Sequence, residues 1–245
     1  LGLLRRQSTY ATTICVSELS RKMYLGLGWD PEKTVEIPNG VDPLRFSPTP
    51  NPSPLRGRGE NGPPSPQRGK GSGDGGLRLG CLARLTRDKG IDLLIEAVGD
   101  LQNTSLTIIG TGPEEPPLQA LMKRKKITDR AMILHSFSDL NLFYQSLDIF
   151  ILPSRDHDPF GLVAAEAMLC GVPVIVTDAC GIAGYITNGK DAVVVKANNA
   201  GALSEGIASL QDSEKRKRIA DQGTQTACAR FSAERMIHEY DQLFR

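Results

Sequence analysis

Apolar and polar positions alternate in a regular order over most of the chain, from Leu77 onward. Short and nearly continuous apolar runs predict six strands: Leu77–Ala83, Ser105–Ile109, Ala131–His135, Ile149–Leu152, Val174–Thr177 and Ala192–Val195. The segments between them predict five helices: Ile91–Leu101, Glu114–Lys125, Asp139–Leu147, Leu162–Cys170 and Ala200–Leu210. Two more helices are expected at about Ser213–Ala229 and Ala233–Phe244. The alternation predicts an α/β fold, a Rossmann-like parallel sheet with helices on both faces.

The residues before Leu77 follow a different pattern. Short strands are predicted at Ala11–Val16 and Val35–Pro38, with a helix from Ser17 to about Leu27 between them. Residues Pro48 to Gly76 are dominated by Pro, Gly, Ser, Arg and Asn, and they offer almost nothing to bury. Such a composition predicts a disordered linker, because it cannot offset the entropy lost on ordering.

Composition and charge narrow the classes of function. Lys and Arg total 29 and Asp and Glu total 28, so the net charge of +1 gives no electrostatic reason to expect a nucleic-acid partner. No apolar run approaches the ~20 residues of a membrane span, and we expect no secretory leader. The five cysteines are scattered without a C-x-x-C pair, which predicts reduced, buried thiols rather than a zinc site or a disulfide framework.

Glycine-rich and charged loops follow three of the predicted strands. They are Arg84–Lys89, Gly110–Pro113 and Asp158–Gly161. In open α/β sheets, ligands bind at the carboxyl ends of the strands. The three loops therefore predict one binding crevice at that edge.

The loop from Asp158 to Gly161 leads into a helix that carries Glu166. Pro159 is tolerated near a helix start, and Gly161 lets the backbone approach a ligand. The free N–H groups of a helix start suit a phosphate or a sugar hydroxyl, and a carboxylate one turn further in can accept from two vicinal hydroxyls of a ribose. Either carboxylate alone is more often a helix cap or an exposed residue. Together they favour a ligand site.

Arg84 and Lys89 flank a loop between a strand and a helix, where two cations can neutralise a diphosphate without a metal. Either could instead be an ordinary surface charge. The Gly110 and Gly112 pair lacks the third glycine of a dinucleotide fingerprint, so NAD is discounted, although a close approach to a nucleotide is expected. Ser136 and Phe137 are expected to line a base pocket. The sequence shows no Ser-His-Asp or Cys-His nucleophile set and no metal-ligand set.

These motifs resemble those of the retaining glycosyltransferases of family four, which have the two-domain GT-B architecture. The stretch from Asp158 to Glu166, within Pro153–Ile175, is similar to the signature of that family. The Arg84–Gly90 and Ile109–Pro113 segments are similar to two further motifs, and Ile37–Phe46 resembles the end of the family's first domain. The resemblance runs from about Ile14 to the C-terminus, apart from the linker.

The resemblance implies roles for the site residues. Arg84, Lys89 and Asp158 would be the catalytic residues, with the two cations on the donor diphosphate. Glu166 would hold the ribose. The remaining residues would bind the donor. They are Gly110, Gly112, Ser136, Phe137, Phe160, Gly161 and Leu162, and the last three would meet the sugar through their backbone. The family transfers a sugar from a nucleoside diphosphate-sugar with retention at the anomeric carbon. Neither a cofactor, a metal nor a protein nucleophile is expected. Catalysis would then depend on positioning and charge stabilisation.

The resemblance also implies an organisation and a setting. Residues 1–47 would be a remnant of the acceptor domain, 48–76 a linker, 77–230 the donor-binding domain and 231–245 a helix crossing back to the remnant. The acceptor would be a carbohydrate or a lipid-linked sugar in glycan, lipopolysaccharide or cell-envelope polysaccharide synthesis. We expect a cytoplasmic location, at the inner face of the membrane, with peripheral membrane contact through the missing part of the first domain.

This sequence departs from the family pattern at several positions. Asp158 stands in place of Glu, Ala83 in place of Gly, and Cys180 and Gly184 where Gly and Glu are usual. Two alternatives stay open. One is an inactive fragment that binds nucleotide-sugar without transferring it. The other is a sugar-nucleotide epimerase, which would need an acid/base set that the sequence does not show.

Overall fold

The structure is a computed structural model that describes residues 12–46 and 76–245. In these residues the chain forms eight strands: β1 Thr13–Cys15, β2 Thr34–Glu36, β3 Leu77–Leu82, β4 Thr104–Ile109, β5 Ala131–Leu134, β6 Ile149–Leu152, β7 Val174–Thr177 and β8 Val193–Val195. The α-helices of the same residues are α1 Glu18–Gly26, α2 Ile91–Gly99, α3 Glu115–Arg124, α4 Leu140–Gln145, α5 Leu162–Leu169, α6 Ala200–Ala208, α7 Ser213–Arg230 and α8 Ala233–Phe244. Short 3₁₀ helices cover Pro31–Lys33, Arg87–Lys89 and Gly181–Tyr185.

Six of the strands form one parallel sheet in the order β5-β4-β3-β6-β7-β8. The chain starts this sheet in the middle, runs to one edge, and returns to continue from β3 toward the other edge. The strand order therefore reverses between β3 and β6, and such a switch point is where open α/β sheets bind ligands. Only two residue pairs join these strands, Leu79 with Ile149 and Gly80 with Phe150. Pairing stops before the carboxyl end of either strand, which is where the sequence predicts the binding crevice.

The sheet is covered on both faces, as its continuous apolar strands require. Along β6, Ile149 and Ile151 belong to one core layer, which includes residues of α2, α3 and α6. Phe150 and Leu152 belong to the other layer, with residues of α4 and α5. The predicted α/β fold, a Rossmann-like parallel sheet with helices on both faces, is confirmed.

The N-terminal segment, residues 12–46, forms a small parallel pair of β1 and β2 with α1 between them. It is bound to the 3₁₀ helix after β7 through Tyr185, whose hydroxyl accepts from the Glu18 N–H at 2.9 Å and donates to Glu36 Oε1 at 2.5 Å. At the other end of the segment, the Val41 N–H donates to the Phe231 carbonyl at 2.7 Å, just before α8. The start of α8 thus contacts the N-terminal segment.

The predicted linker, except for its last residue Gly76, lies outside the described residues. The division of the chain into four units stays a prediction. Over residues 12–46 and 76–245, no helix is both long enough and apolar enough to cross a lipid bilayer.

Candidate functional site

The polar loops of the sheet meet at one edge because all six strands run in the same direction. Arg84–Lys89 follows β3 and Ser154–Gly161 follows β6, so these two loops border the switch point. Gly110–Pro113 follows β4, Ser136 and Phe137 follow β5, and Asp178–Gly184 follows β7. Five loops therefore lie at the carboxyl edge and form the candidate site, and they include the three from which the sequence predicts a binding crevice.

The centre of the site is an ion pair between the two loops at the switch point. Lys89 Nζ lies 2.7 Å from Asp158 Oδ2, and Ser154 Oγ donates to the same oxygen at 3.1 Å. The Lys89 and Asp158 side chains are 14% and 11% exposed, so both charges are largely removed from water. A second carboxylate, Asp88, lies 3.8 Å from Lys89 and is more exposed. The sequence predicted roles for Lys89 and Asp158 but not their contact.

The two loops at the switch point are also joined through their backbones. The Arg155 N–H donates to the Asp88 carbonyl at 2.7 Å. Gly90 has a φ of +63°, and a Cβ there would lie 2.2 Å from the Pro153 carbonyl oxygen. Only glycine meets both requirements without strain. The backbones that carry Lys89 and Asp158 are therefore joined beside the ion pair.

Arg84 is exposed at the end of β3, and its loop packs against the loop after β4. The Leu85 N–H donates to the Thr111 carbonyl at 2.9 Å, and a Cβ on Gly110 would lie 1.9 Å from the Ala83 carbonyl oxygen. A Cβ on Gly112 would collide with the backbone of Leu85, at 2.3 Å from its carbonyl oxygen. These two glycines thus allow one loop to approach the other, a reason that the sequence analysis did not identify. Their contact with a nucleotide stays a prediction.

The start of α5 lies directly after the loop that follows β6. Its N-cap residue is Gly161, with a φ of +96°, and no side chain caps the helix. Phe160 is buried, and its ring packs edge-on against Phe231 with centroids 5.5 Å apart. Phe160 can therefore contribute only its backbone to a ligand, whereas Leu162 is 39% exposed. Uncapped N–H groups at a helix start suit an anion.

Glu166 lies one turn into α5 and is half-buried. Tyr144 donates its hydroxyl to Glu166 Oε2 at 2.7 Å. Burial raises the pKa of the Glu166 carboxyl, while the Tyr144 hydrogen bond and the Arg45 charge act in the opposite direction. Sequence analysis missed Tyr144. The signal was available in principle, since a tyrosine on the buried side of a helix needs a partner for its hydroxyl.

Two serines contact the loop that carries Asp158: Ser17, the N-cap of α1, and Ser20 within the helix. Ser17 is fully buried and donates to the Pro159 carbonyl at 2.5 Å. Ser20 Oγ lies 3.3 Å from His157 Nε2. Sequence analysis missed both contacts, because nothing local in the sequence links residues so far apart along the chain.

The remaining predicted residues follow β5, the strand at one edge of the sheet. Ser136 is exposed, and Phe137 is partly buried with its ring 6.4 Å from that of Phe143. His135, beside them, is bound to Glu115 at 3.0 Å. Among the residues that the structure describes, no cluster of three or more His, Cys, Asp or Glu side chains could hold a metal ion.

The chain is similar to several known proteins. Over 163 residues it is 29% identical to the lipopolysaccharide core biosynthesis glycosyltransferase LpsE of Rhizobium meliloti, covering 66% of this chain and 48% of that protein. Over 221 residues it is 28% identical to a GDP-mannose-dependent alpha-(1-6)-phosphatidylinositol monomannoside mannosyltransferase of Mycolicibacterium smegmatis, covering 84% and 55%. The chain thus spans about half the length of the curated relatives it matches.

The structure is similar to that of Anabaena Alr3699/HepE, solved in complex with UDP and glucose. The TM-score is 0.83 at 23% identity, over 96% of this chain and 62% of that protein, which shows a shared fold. The family model described as glycosyl transferases group 1 matches residues 67–226, more than half of the chain. The motifs at the crevice lie within that match, and the chain belongs to the glycosyl transferases group 1 family.

Proposed function

We propose that this chain is the donor-binding half of a glycosyltransferase. It would take a sugar from a nucleoside diphosphate-sugar and pass it, with retention at the anomeric carbon, to a carbohydrate or lipid-linked acceptor. The observation that carries the proposal is the pairing of Lys89 with Asp158 beside the open start of α5, at the switch point of the sheet. LpsE acts in lipopolysaccharide core synthesis by its name, which supports a role in polysaccharide synthesis for this chain.

The proposed donor lies along the carboxyl edge of the sheet. Arg84, Lys89 and the start of α5 bind the diphosphate, because they offer two cations and free N–H groups. Glu166 accepts from the ribose hydroxyls, and Asp158 meets the sugar. The complex of HepE with UDP and glucose supports a donor of this class.

Catalysis in this proposal is positioning together with charge stabilisation. As the bond between sugar and diphosphate breaks, negative charge grows on the departing phosphate, and Arg84 and Lys89 stabilise it. No protein nucleophile takes part, and we propose that no metal cofactor is required. Addition of a chelator should leave the transfer rate unchanged, and a loss of rate that Mg²⁺ restores would contradict this part of the proposal.

Charge-removing substitutions test the diphosphate assignment. Arg84→Ala or Lys89→Ala should weaken UDP or GDP binding by roughly tenfold to a hundredfold, the range for hydrogen bonds to charged groups, and leave binding of the bare nucleoside unchanged. Lys196→Ala is the control, because Lys196 is an exposed lysine directly after β8 that forms an ion pair with Asp178 on the surface. Equal losses for nucleotide and nucleoside in titration calorimetry would reject the assignment.

A second candidate is a protein that binds nucleotide-sugar without transferring it. Release of free sugar from the donor, or transfer to an added acceptor, would decide for the enzyme. We also propose a cytoplasmic location at the membrane face, which fractionation of cells that express the protein would test.

A further inference from the structure

Tyr144 is fully buried, and its hydroxyl reaches Glu166. It lies in α4 with no exposed surface, and its ring packs against Phe143, Phe150 and Phe46, with centroids 5.4 to 6.0 Å away. Three aromatic neighbours prevent the ring from swinging out. The hydroxyl is therefore fixed in space, and it donates to Glu166 Oε2 at 2.7 Å.

Within residues 12–46 and 76–245, Tyr144 supplies the sole side-chain hydrogen bond to Glu166. Two other groups near this carboxylate, Arg45 and Cys170, do not hold it by a hydrogen bond. Arg45 contributes a positive charge, and the Cys170 thiol donates elsewhere, to Asn141 Oδ1 at 3.0 Å. Burial also raises the pKa of Cys170, so this thiol stays protonated at neutral pH. The orientation of the Glu166 carboxylate thus depends on Tyr144.

The hydrogen bond occupies part of one carboxylate oxygen. An ionised carboxylate has about four acceptor positions, so Oε1 and the second lone pair of Oε2 stay available. A free glutamate side chain would lose rotamer entropy on meeting a ligand, whereas one already held does not lose it again. The held carboxylate is suited to two neighbouring hydroxyls at once.

We propose that Tyr144 is a positioning residue, which holds Glu166 so that it accepts from both ribose hydroxyls and thereby selects ribonucleotides over deoxyribonucleotides. This inference rests on the proposed function, because it assumes that Glu166 meets the ribose. It assigns a role to a residue of α4, outside all of the strand-end loops that form the rest of the site.

The test is Tyr144→Phe, which removes the hydroxyl and keeps the ring. Calorimetry on the full chain would compare UDP, GDP and ADP with their 2′-deoxy forms. We expect the variant to bind the preferred ribonucleotide about tenfold more weakly, as for one charge-assisted hydrogen bond, and the deoxy form with little change. Discrimination between the two sugars should fall accordingly. Tyr240→Phe in α8 is the matched control, and thermal unfolding would verify that each variant is folded.

A double-mutant cycle and a pH series separate positioning from a structural effect. In a Glu166→Gln background, Tyr144→Phe should cost no further affinity, because its partner is already altered. In the wild type, affinity should fall as the pH drops through the pKa of Glu166. In Tyr144→Phe that fall should occur at a higher pH, since the hydroxyl is one of the groups that lower this pKa.

Two outcomes identify which assumption has failed. If Glu166→Gln binds UDP, GDP and ADP as the wild type does, the ribose assignment within the proposed function is wrong. If Glu166→Gln weakens binding while Tyr144→Phe keeps the wild-type discrimination and pH midpoint, the proposed function stands and the positioning role of Tyr144 is overturned.

Discussion

The ion pair of Lys89 and Asp158 gives a prediction that can be tested directly. Without a ligand, the Asp158 carboxylate binds the Lys89 ammonium group, which is the group that the diphosphate would bind. Asp158→Asn removes that charge and keeps the size of the side chain. Truncating one partner of a buried pair costs about 3–5 kcal/mol. Lys89 keeps a second carboxylate, Asp88 at 3.8 Å, and Ser154 can still bond to an amide oxygen. We therefore expect a loss of unfolding free energy of about 2 kcal/mol, or roughly 4–8 °C in melting temperature for a domain of this size.

Ligand binding should change in the opposite direction. With its carboxylate partner removed, Lys89 has more of its charge available for a phosphate, so Asp158→Asn should bind UDP, GDP or inorganic pyrophosphate several-fold more tightly. Two charges 4 Å apart interact by about 4 kcal/mol at an effective dielectric of 20, and most of that is offset by Asp88 and solvent. Transfer should nevertheless slow, because in the proposed function the Asp158 carboxylate contacts the sugar. Tighter binding with slower turnover is the expected signature.

Calorimetry and thermal unfolding on the same samples would measure both effects. Asp100→Asn is the matched control, since Asp100 pairs with Lys125 at 2.9 Å on the surface and away from the five loops, where such pairs contribute little. Saturating nucleotide should also restore much of the lost stability of Asp158→Asn, because a ligand at a hundred times its Kd adds about 2.7 kcal/mol. Diphosphate affinity that falls or stays constant in Asp158→Asn would refute the view that the two anions compete for Lys89.

Three further predictions follow from single contacts. Nucleotide affinity should be full at neutral pH and decline as the pH falls through the pKa of Glu166, which burial places above the ordinary glutamate value; titration between pH 7 and pH 4.5 would show this, and a decline confined to lower pH would contradict it. Ser17→Ala should lose about 1–2 kcal/mol of stability, since Ser17 caps α1 and donates to Pro159; chemical denaturation would measure it, with Ser213→Ala on the surface as the control. Gly110→Ala should destabilise by more than about 1 kcal/mol, because its Cβ would lie 1.9 Å from the Ala83 carbonyl oxygen; an unchanged melting temperature would show that the loops can separate.

The fold could be predicted because its strands are short, buried and bounded by turn signals. The predicted bounds of β6 and β7 match the structure, and those of the other sheet strands differ by one residue at an end. Helix α4 is shorter than predicted, because Asp139 is the N-cap rather than part of the helix and Ser146 already ends it. Local capping decides such bounds, and apolar periodicity does not report it.

The site could be predicted only as a location. Loops at strand ends are visible in the sequence, and parallel strands bring them to one edge. The hydrogen bond from Tyr144 to Glu166 joins residues 22 positions apart, and the one from Ser17 to Pro159 joins residues 142 positions apart. Such pairs are set by tertiary packing, so no local pattern reveals them.

The N-terminal segment is part of the site and not only a neighbour of it. Ser17 holds the Pro159 carbonyl, and a Cβ on Gly181 would lie 2.6 Å from Ser17 Oγ, so three stretches of backbone pack closely at this point. Pro159 directly follows Asp158, whose carboxylate binds Lys89. A displacement of α1 would therefore move the Pro159 carbonyl and, with it, the carboxylate at the centre of the crevice. Under the proposed function, in which this segment would belong to the acceptor domain, its bond to the Asp158 loop predicts that acceptor binding and donor binding are energetically coupled.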